Sequence, residues 1–297
     1  MLFSKTAKEI RAGLWAISPY NAFASLQLAH KILAGETGSE KTYKIDAAVR
    51  YFLDENGAPY QAQNVDETPP NSIGVVEIIG DMIKYGNYYC YGADELVAFA
   101  QMFDDNPNII GQIWKMDTGG GSISSVAPFR DFLKNKKKPV VARCDMCASA
   151  GLFVASGTDH IQAENDISSM FGSVGVMATL RSYEKYFEAM GVKEHVIMAD
   201  QSGHKNKEFT EALKGNYELM KTHLLNPAAI TFQNYMRADR GKKLNEDVEG
   251  LLEGGIFYAG KAIEYGLADS MGTMQDAIEK VKELAAVSDF MNNKSIY

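Results

Sequence analysis

Residues 109–122 read IIGQIWKMDTGGGS, an apolar run that ends in three consecutive glycines. The β-branched and aromatic side chains of 109–116 predict a buried strand. The glycines predict a tight turn whose backbone N–H groups can approach another atom closely, because glycine has no Cβ and adopts positive φ without strain. Such a turn is either a simple connection or a loop that holds an oxyanion or another anion.

The same alternation continues on both sides of this stretch. Short apolar runs predict strands at 74–79, 139–143, 160–163, 172–177 and 192–198, and helical patterns fall at 96–103, up to 134, from 149 and at 181–190. Strands that alternate with helices need crossover connections, which give a mostly parallel sheet. The sequence therefore predicts an α/β fold for 73–286.

The flanking segments have a different character. Residues 1–35 predict a helical arm that Ser18-Pro19 interrupts, and 36–72 are polar apart from an apolar stretch at 45–53. We expect 1–72 to be an arm with a connector and 287–297 to be a C-terminal tail. The arm and connector are then separate from the α/β domain.

Composition excludes several classes of protein. The 297 residues are 46% hydrophobic and carry 38 acidic against 30 basic side chains, a formal net charge of −8. This describes an ordinary globular chain and argues against nucleic acid as a partner, because binding to a phosphate backbone needs a concentrated positive field. Three cysteines are too few for disulfide bonds to stabilise a fold of this size. No apolar window is long enough to span a membrane. We expect a cytoplasmic protein without a transmembrane segment.

The pair Cys144-x-x-Cys147 has two interpretations. It matches the spacing of a redox motif or of half a zinc site, but the third cysteine, Cys90, supplies no second pair. The other interpretation is packing near the end of a strand. We predict no metal and no cofactor.

Two polar residues stand out in the predicted loops. Ser149 lies between alanines, after an apolar strand and before a helical run, so its hydroxyl is either a nucleophile or an N-cap of that helix. Lys205 lies in the loop Ser-Gly-His-Lys-Asn, and a lysine in a loop is by default a solvated charge. Neither residue alone predicts an activity.

Taken in order, these motifs resemble a known family. The glycine turn at 119–121, the small-Ser-small-Gly cluster at 148–151, Gly-Ser-Val-Gly-Val at 172–176 and Ser-Gly-x-Lys at 202–205 are similar to the signal peptide peptidase A (protease IV) family of Ser-Lys peptidases. The stretch GIFYAGKA at 255–262, followed by GLAD at 266–269, resembles that family's closing motif. The resemblance covers about 73–283 and implies a ClpP/crotonase-like spiral of strand-strand-helix units.

The resemblance also implies roles for individual residues. Ser149 would be the nucleophile, Lys205 the general base and Ser173 the residue that positions the lysine amine. The N–H groups of Gly119, Gly120 and Ala150 would form the oxyanion hole. The chain departs from the family in having Asp117-Thr118 where Ser-Pro is usual, and Ala150-Gly151 where Gly-Gly is usual.

The chemistry of such a dyad sets a condition on the site. A free lysine has a pKa of about 10.4 and is almost fully protonated at pH 7. A lysine that acts as a general base therefore needs its pKa lowered to about 7, which burial against apolar surface can do. A closed site that is poor in water is expected.

Three alternatives stay open. The related Clp proteases use a Ser-His-Asp triad, but no histidine of this chain stands in the corresponding stretch, and His160 lies in a predicted strand. A crotonase-like acyl-CoA enzyme would use the same glycine turn to polarise a thioester carbonyl. A capsid-assembly component could keep the fold without turnover.

The resemblance finally implies an assembly. Members of the family form rings or domes in which the serine and lysine can come from adjacent subunits, so a homo-oligomer with sites at subunit interfaces is expected. The short arm around 14–19 resembles the phage and prophage branch, whose members process scaffold and capsid proteins. The expected location is then the cytoplasm, or a phage procapsid within it, and the expected substrate is a peptide or protein.

Overall fold

A computed structural model describes the backbone of residues 15–17 and residues 50–60, 67–86, 90–193 and 195–294. Within these residues the chain forms an α/β fold around a mixed sheet whose central strands are parallel. The strands are β1 (Trp15–Ile17), β2 (Arg50–Leu53), β3 (Pro59–Tyr60), β4 (Ser72–Ile79), β5 (Ile109–Thr118), β6 (Gly120–Ser122), β7 (Val140–Ala148), β8 (His160–Ala163), β9 (Met170–Gly172), β10 (Ile256–Tyr258) and β11 (Ser270–Met271).

The helices follow the strands in the predicted alternation up to the end of β9. They are α1 (Ala93–Asp105), α2 (Val126–Asn135), α3 (Ala150–Ala155), α4 (Glu184–Ala189), α5 (Lys207–Leu213), α6 (Glu218–Met220), α7 (Asn226–Arg240), α8 (Ala259–Glu264) and α9 (Met274–Lys294). A π-helical turn, Lys221–Leu225, joins α6 to α7.

The main sheet has the order β10-β9-β7-β5-β4-β2-β3, with β8 also paired to β7 and β11 paired to β8. The pairs β4–β5, β5–β7, β7–β8 and β7–β9 are parallel, whereas β2, β3 and β10 run antiparallel to their neighbours. Parallel central strands joined by helical crossovers confirm the predicted α/β class.

Strand β7 divides the sheet. Residues 141–144 pair with β8, while Met146–Ala148 pair with β9. The register with β5 shifts between the pairs Met116↔Cys144 and Thr118↔Cys147, so β7 carries one extra residue, a β-bulge. The bulge bends the last residues of β7 away from β8 and towards β9.

Successive side chains on the central strands point to opposite faces, and each face has its own cover. Val76 and Trp114 belong to the core that α1, α2, α3 and α7 enclose. Their neighbours Val75 and Ile113 pack instead with Ala277 and other apolar residues of α9. The sheet is therefore buried on both faces, as parallel strands require.

Two parts of the flanking segments differ from the expectation. Trp15–Ile17, within the predicted helical arm, form a strand, because their backbone pairs with β6; the rest of 1–49 lies outside the described residues. In the predicted connector, β2 pairs with β4 and buries Phe52 and Leu53. The main sheet thus begins at Arg50, before residue 73, where the predicted domain starts.

Two predictions within the domain and its tail are also corrected. The predicted strand at 192–198 is absent from its described residues, which are exposed and find no strand to pair with. Helix α9 runs on to Lys294, so 287–294 extend a helix and do not form a separate tail. No described helix combines the length and hydropathy needed to cross a lipid bilayer.

Candidate active site

The ends of β5, β7 and β9 bring together the predicted site residues other than Lys205. Thr118 on β5 pairs with Cys147 on β7, and both Gly120 and Ser149 lie two residues beyond that pair. Neighbouring strands are about 4.8 Å apart, so the glycine turn and Ser149 meet at the same edge of the sheet. Carboxyl ends of parallel strands are where α/β proteins build their sites.

Ser149 occupies a strained turn between β7 and α3. Its φ of 55° and ψ of −120° lie outside the regions that residues with a Cβ prefer. Its N–H donates to the carbonyl oxygen of Gly172 at 2.9 Å, which ties the turn to β9. A serine on a sharp strand-to-helix turn presents its hydroxyl at the top of the sheet, as the nucleophile elbow of α/β hydrolases does.

The capping interpretation of Ser149 is not supported by the contacts. Its side chain makes no capping hydrogen bond to α3. The residue is nonetheless 1% exposed. Capping therefore does not explain why a serine lies at this turn.

Small residues let α3 approach the glycine turn. A Cβ on Gly151 would lie 2.5 Å from Cγ2 of Thr118, so any larger residue there would push α3 away from β5. Where the family usually has two glycines after the serine, this chain has Ala150 and Gly151. It thus keeps the glycine that lets α3 lie close to Thr118. Ala150 and Gly151 are both buried.

Two backbone N–H groups beside Ser149 are unbonded. Gly119 is buried and its N–H has no acceptor among the described residues, and Ala150 begins α3, where helical N–H groups have no intrahelical partner. The N–H of Gly120 differs, because it donates to Oγ1 of Thr118 at 3.0 Å. Of the three predicted oxyanion donors, Gly119 and Ala150 are free to bind an oxyanion in this structure.

Thr118 has a role that its sequence position alone did not reveal. Its hydroxyl donates to the carbonyl oxygen of Gly80 and accepts from Gly120, so it joins the end of β4 to the glycine turn. Met82 adds a second clamp, because its N–H donates to Gly120 O at 2.9 Å and its carbonyl oxygen accepts from Ser122 N–H at 2.9 Å. Beside Met82, burial raises the pKa of Asp81 to about 6. Nothing in the sequence pattern singles out Met82.

Ser173 lies next to Ser149 on the neighbouring strand end. Ala148 pairs with Gly172, so Ser149 and Ser173 each stand one residue beyond that pair. Ser173 also has positive φ, 55°, and its N–H donates to Gly255 O at 2.7 Å. Gly255, the first residue of the closing motif at 255–262, therefore holds the backbone turn at Ser173, and β10, which follows Gly255, pairs with β9.

Lys205 is not part of this cluster within one chain. It follows a short 3-10 helix, Asp200–Ser202, and its backbone N–H donates to Ser202 O at 2.9 Å. The side chain is exposed and makes no hydrogen bond or ion pair with any described residue. The buried Ser149 hydroxyl and the exposed amine therefore do not meet.

The cysteines pack in the core. Cys144 and Cys147 are both fully buried on the same face of β7, because the bulge between them reverses the usual alternation. Burial raises the pKa of the Cys144 thiol well above its ordinary value, so the neutral thiol dominates. Among the described residues, no group of three or more histidines, cysteines or acids could hold a metal ion.

His160 has a structural setting. It pairs with Val141, eight residues before Ser149, which is about 25 Å along an extended strand. Its Nε2 contacts Oγ of Ser270 at 2.8 Å, and burial lowers its pKa, against the opposing charge of Asp269. This position does not serve Ser149 as a base.

Comparisons with known proteins match the chain to peptidases. The model of peptidase family S49 matches residues 132–288. Protease 4 of Haemophilus influenzae is 23% identical over 74% of this chain, and capsid assembly protease C of Escherichia phage lambda is 26% identical over 83%. The matches cover 37% and 56% of those relatives, so the chain spans less than two thirds of their length.

One solved structure with a similar chain is a membrane protease from Pyrococcus horikoshii, described as 1510-N and specific for a stomatin homolog. It is 15% identical over 69% of this chain and 76% of its own, with a TM-score of 0.37. The strand order of this chain, and not this similarity, is what defines its fold.

Proposed function

The chain belongs to peptidase family S49, and from that premise we propose that it is a serine endopeptidase that hydrolyses peptide bonds with Ser149 as nucleophile and Lys205 as general base. The observation that carries the proposal is the strained turn at Ser149, whose side chain does not cap α3, beside the unbonded N–H groups of Gly119 and Ala150. That combination suits acyl transfer.

The reaction follows from these groups. The Ser149 hydroxyl attacks the peptide carbonyl and gives its proton to the neutral Lys205 amine. The N–H groups of Gly119 and Ala150 stabilise the oxyanion, at about 3 to 4 kcal/mol for each donor. The ammonium then protonates the leaving amine, and water, deprotonated by the same lysine, hydrolyses the acyl-enzyme. In this proposal Ser173, one residue beyond β9, accepts a hydrogen bond from the lysine amine and positions it.

The lysine reaches the site from a second copy in this proposal. The described residues of 181–205 are exposed except for Ser202, which is partly buried. Large apolar side chains are among them: Tyr183, Tyr186, Phe187, Met190, Val192, Val196, Ile197 and Met198. Apolar area of this extent is typical of an interface. Covering it would also remove water from Lys205, which a lysine base requires.

The substrate and location are proposed more narrowly. The relatives include capsid assembly protease C and the head-tail preconnector protein GP5 of Enterobacteria phage P21, each matched over 70% or more of this chain. We propose that the chain processes phage head proteins in the bacterial cytoplasm, inside the procapsid. A crotonase-like thioester enzyme and an inactive capsid component are the alternatives, and neither needs Lys205.

Mixing two inactive variants tests both the chemistry and the shared site. Ser149→Ala and Lys205→Ala should each lower kcat on a peptide substrate by at least about 10³-fold. Co-assembled at equal amounts, they should recover about a quarter of wild-type activity, because one interface in four then pairs an intact serine with an intact lysine.

The control is Lys207→Ala, which removes a nearby exposed lysine of α5 and should keep wild-type activity. Full peptidase activity in either inactive variant alone contradicts the dyad. Loss in both singles without recovery in the mixture contradicts the shared site and leaves a dyad within one chain. Turnover of a thioester but of no peptide would instead identify the crotonase-like alternative.

A further inference from the structure

Strand β1 pairs with one edge of β6, the short strand that contains Gly120 and Gly121 of the glycine turn. Trp15, Ala16 and Ile17 pair antiparallel with Ser122, Gly121 and Gly120. This is a strand contributed from over 100 positions away in the chain, and it lies directly beside the candidate site. No other described strand pairs with β6.

The backbone contacts of Met82 show which groups β1 covers. Met82 bonds to Gly120 O and to Ser122 N–H, so those two residues direct their backbone groups to the Met82 edge. Successive residues of a strand present their N–H and C=O groups to opposite edges. Gly121 therefore presents its N–H and C=O to β1, and its partner there is Ala16.

The direction of β1 is that of a peptide entering the site. Antiparallel pairing carries β1 from Ser122 towards Gly120, and hence towards the unbonded N–H of Gly119 and the turn at Ser149. An extended substrate that adds a strand to the sheet beside the glycine turn, with its carbonyl at Ser149, runs along β6. Because Met82 occupies one edge of β6, the substrate needs the edge that β1 covers.

We infer that Trp15–Ile17 is the chain's own ligand for this edge and competes there with extended peptide substrates. The inference rests on the proposed peptidase function. A tethered segment has an effective concentration that reaches the millimolar range, so even weak pairing raises the concentration of substrate needed. Displacement of β1 is then part of substrate binding.

Two proline variants of the full chain test the inference. Ala16→Pro removes the N–H that faces Gly121, so the pairing should weaken and KM for an extended peptide should fall about fivefold at unchanged kcat. Ile17→Pro is the matched control, because the N–H of that residue faces away from β6 and its loss leaves the pairing intact. Equal KM values for wild type and Ala16→Pro would overturn the inference.

Hydrogen exchange examines the pairing without any turnover. The Gly121 amide should exchange faster in Ala16→Pro than in wild type or Ile17→Pro. The Ser122 amide, bonded to Met82 O, should keep its protection in all three proteins. Unchanged protection of Gly121 in Ala16→Pro would show that β1 does not cover it.

A binding measurement separates this inference from the proposed function. Fluorescence anisotropy of a labelled extended peptide is measured on Ser149→Ala with and without Ala16→Pro. Tighter binding in the double variant supports competition by β1 even if no peptide is ever cleaved. Equal binding by Ser149→Ala with and without Ala16→Pro, together with peptidase activity of the wild type, would overturn the inference and leave the proposed function standing.

Discussion

At the scale of single residues, the site depends on a backbone conformation that small neighbours make accessible. Ser149 is flanked by Ala148 and Ala150, a pattern that already predicts an exposed hydroxyl or a cap. Its backbone has positive φ, and its N–H donates to the carbonyl oxygen of Gly172, a partner 23 positions later. The sequence pattern alone therefore does not show this strained turn, because its partner lies on β9.

Thr118 offers a test at this scale. Thr118→Val keeps the shape that packs against Gly151 but removes the hydroxyl that holds Gly80 and Gly120. The glycine turn should loosen, so we expect kcat on a peptide substrate to fall about 10- to 100-fold with little change in KM. Steady-state kinetics on purified protein measures both constants.

The controls for this variant are two. Thr118→Ser retains the hydroxyl and should restore most of kcat. Thr158→Val removes a hydroxyl that bonds to Ala155 O, away from the glycine turn, and should leave kcat unchanged. Wild-type kcat in Thr118→Val would contradict the positioning role of the hydroxyl.

At the scale of elements, an ion-pair network ties α7 to β8 and β11. Arg240, at the end of α7, binds both carboxylate oxygens of Asp269 at 2.8 and 3.0 Å, and Asp269 also accepts from the N–H of Ile161. Burial would raise the pKa of Asp269, but Arg240, with Lys243 and the Ile161 N–H, holds it well below its ordinary range. Sequence resemblance marks the motif at 266–269, but not this partner.

Asp269→Asn should destabilise the fold because it leaves the buried Arg240 guanidinium without its counter-charge. We expect a loss of about 3 kcal/mol in the free energy of unfolding at pH 7, measured by urea denaturation. A depressed carboxylate pKa stabilises the fold above the ordinary value near 3.8 and loses its effect as pH falls towards the folded value. The gap between wild type and variant should therefore narrow below about pH 4.

An exposed ion pair is the control for this prediction. Glu264→Gln removes the partner of Lys261 on the surface of α8, where both side chains are exposed. The free energy of unfolding should not change measurably. Equal stability of wild type and Asp269→Asn at pH 7 would show that the network does not support the fold.

At the scale of the whole molecule, the exposed segment 181–205 is the feature that one chain does not explain. Ile197 is 92% exposed, and its apolar neighbours have no cover among the described residues. Ile197→Glu should dissociate the proposed assembly and remove activity, because a charge cannot be buried in an apolar interface without a partner. Analytical ultracentrifugation gives the mass, and a peptide assay gives the activity.

The matched control places the same charge on another surface. Val287→Glu alters an exposed apolar residue of α9 and should keep both the mass and the activity of the wild type. An Ile197→Glu protein that stays assembled and fully active would contradict the interface proposed for this segment.

Particular elements show what local pattern predicts well. The strands at 74–79 and 109–116 appear as β4 and β5 because near-continuous apolar runs match burial on both faces of the sheet. The predicted strand at 192–198 carries Lys193, Glu194 and His195 among its apolar residues, and its described residues have no neighbouring strand, so they stay irregular. Trp15–Ile17 becomes a strand because a distant edge pairs with it.

The sequence by itself determined the α/β alternation, the family and the order of the site motifs, since each follows from local side-chain pattern. Only the tertiary structure decided which motifs meet. The parallel register of β5, β7 and β9 brings Gly119, Ser149 and Ser173 to one edge and leaves Lys205 in solvent. Register, strain and free N–H groups depend on pairings between residues far apart in the chain, and local pattern carries no record of those distances.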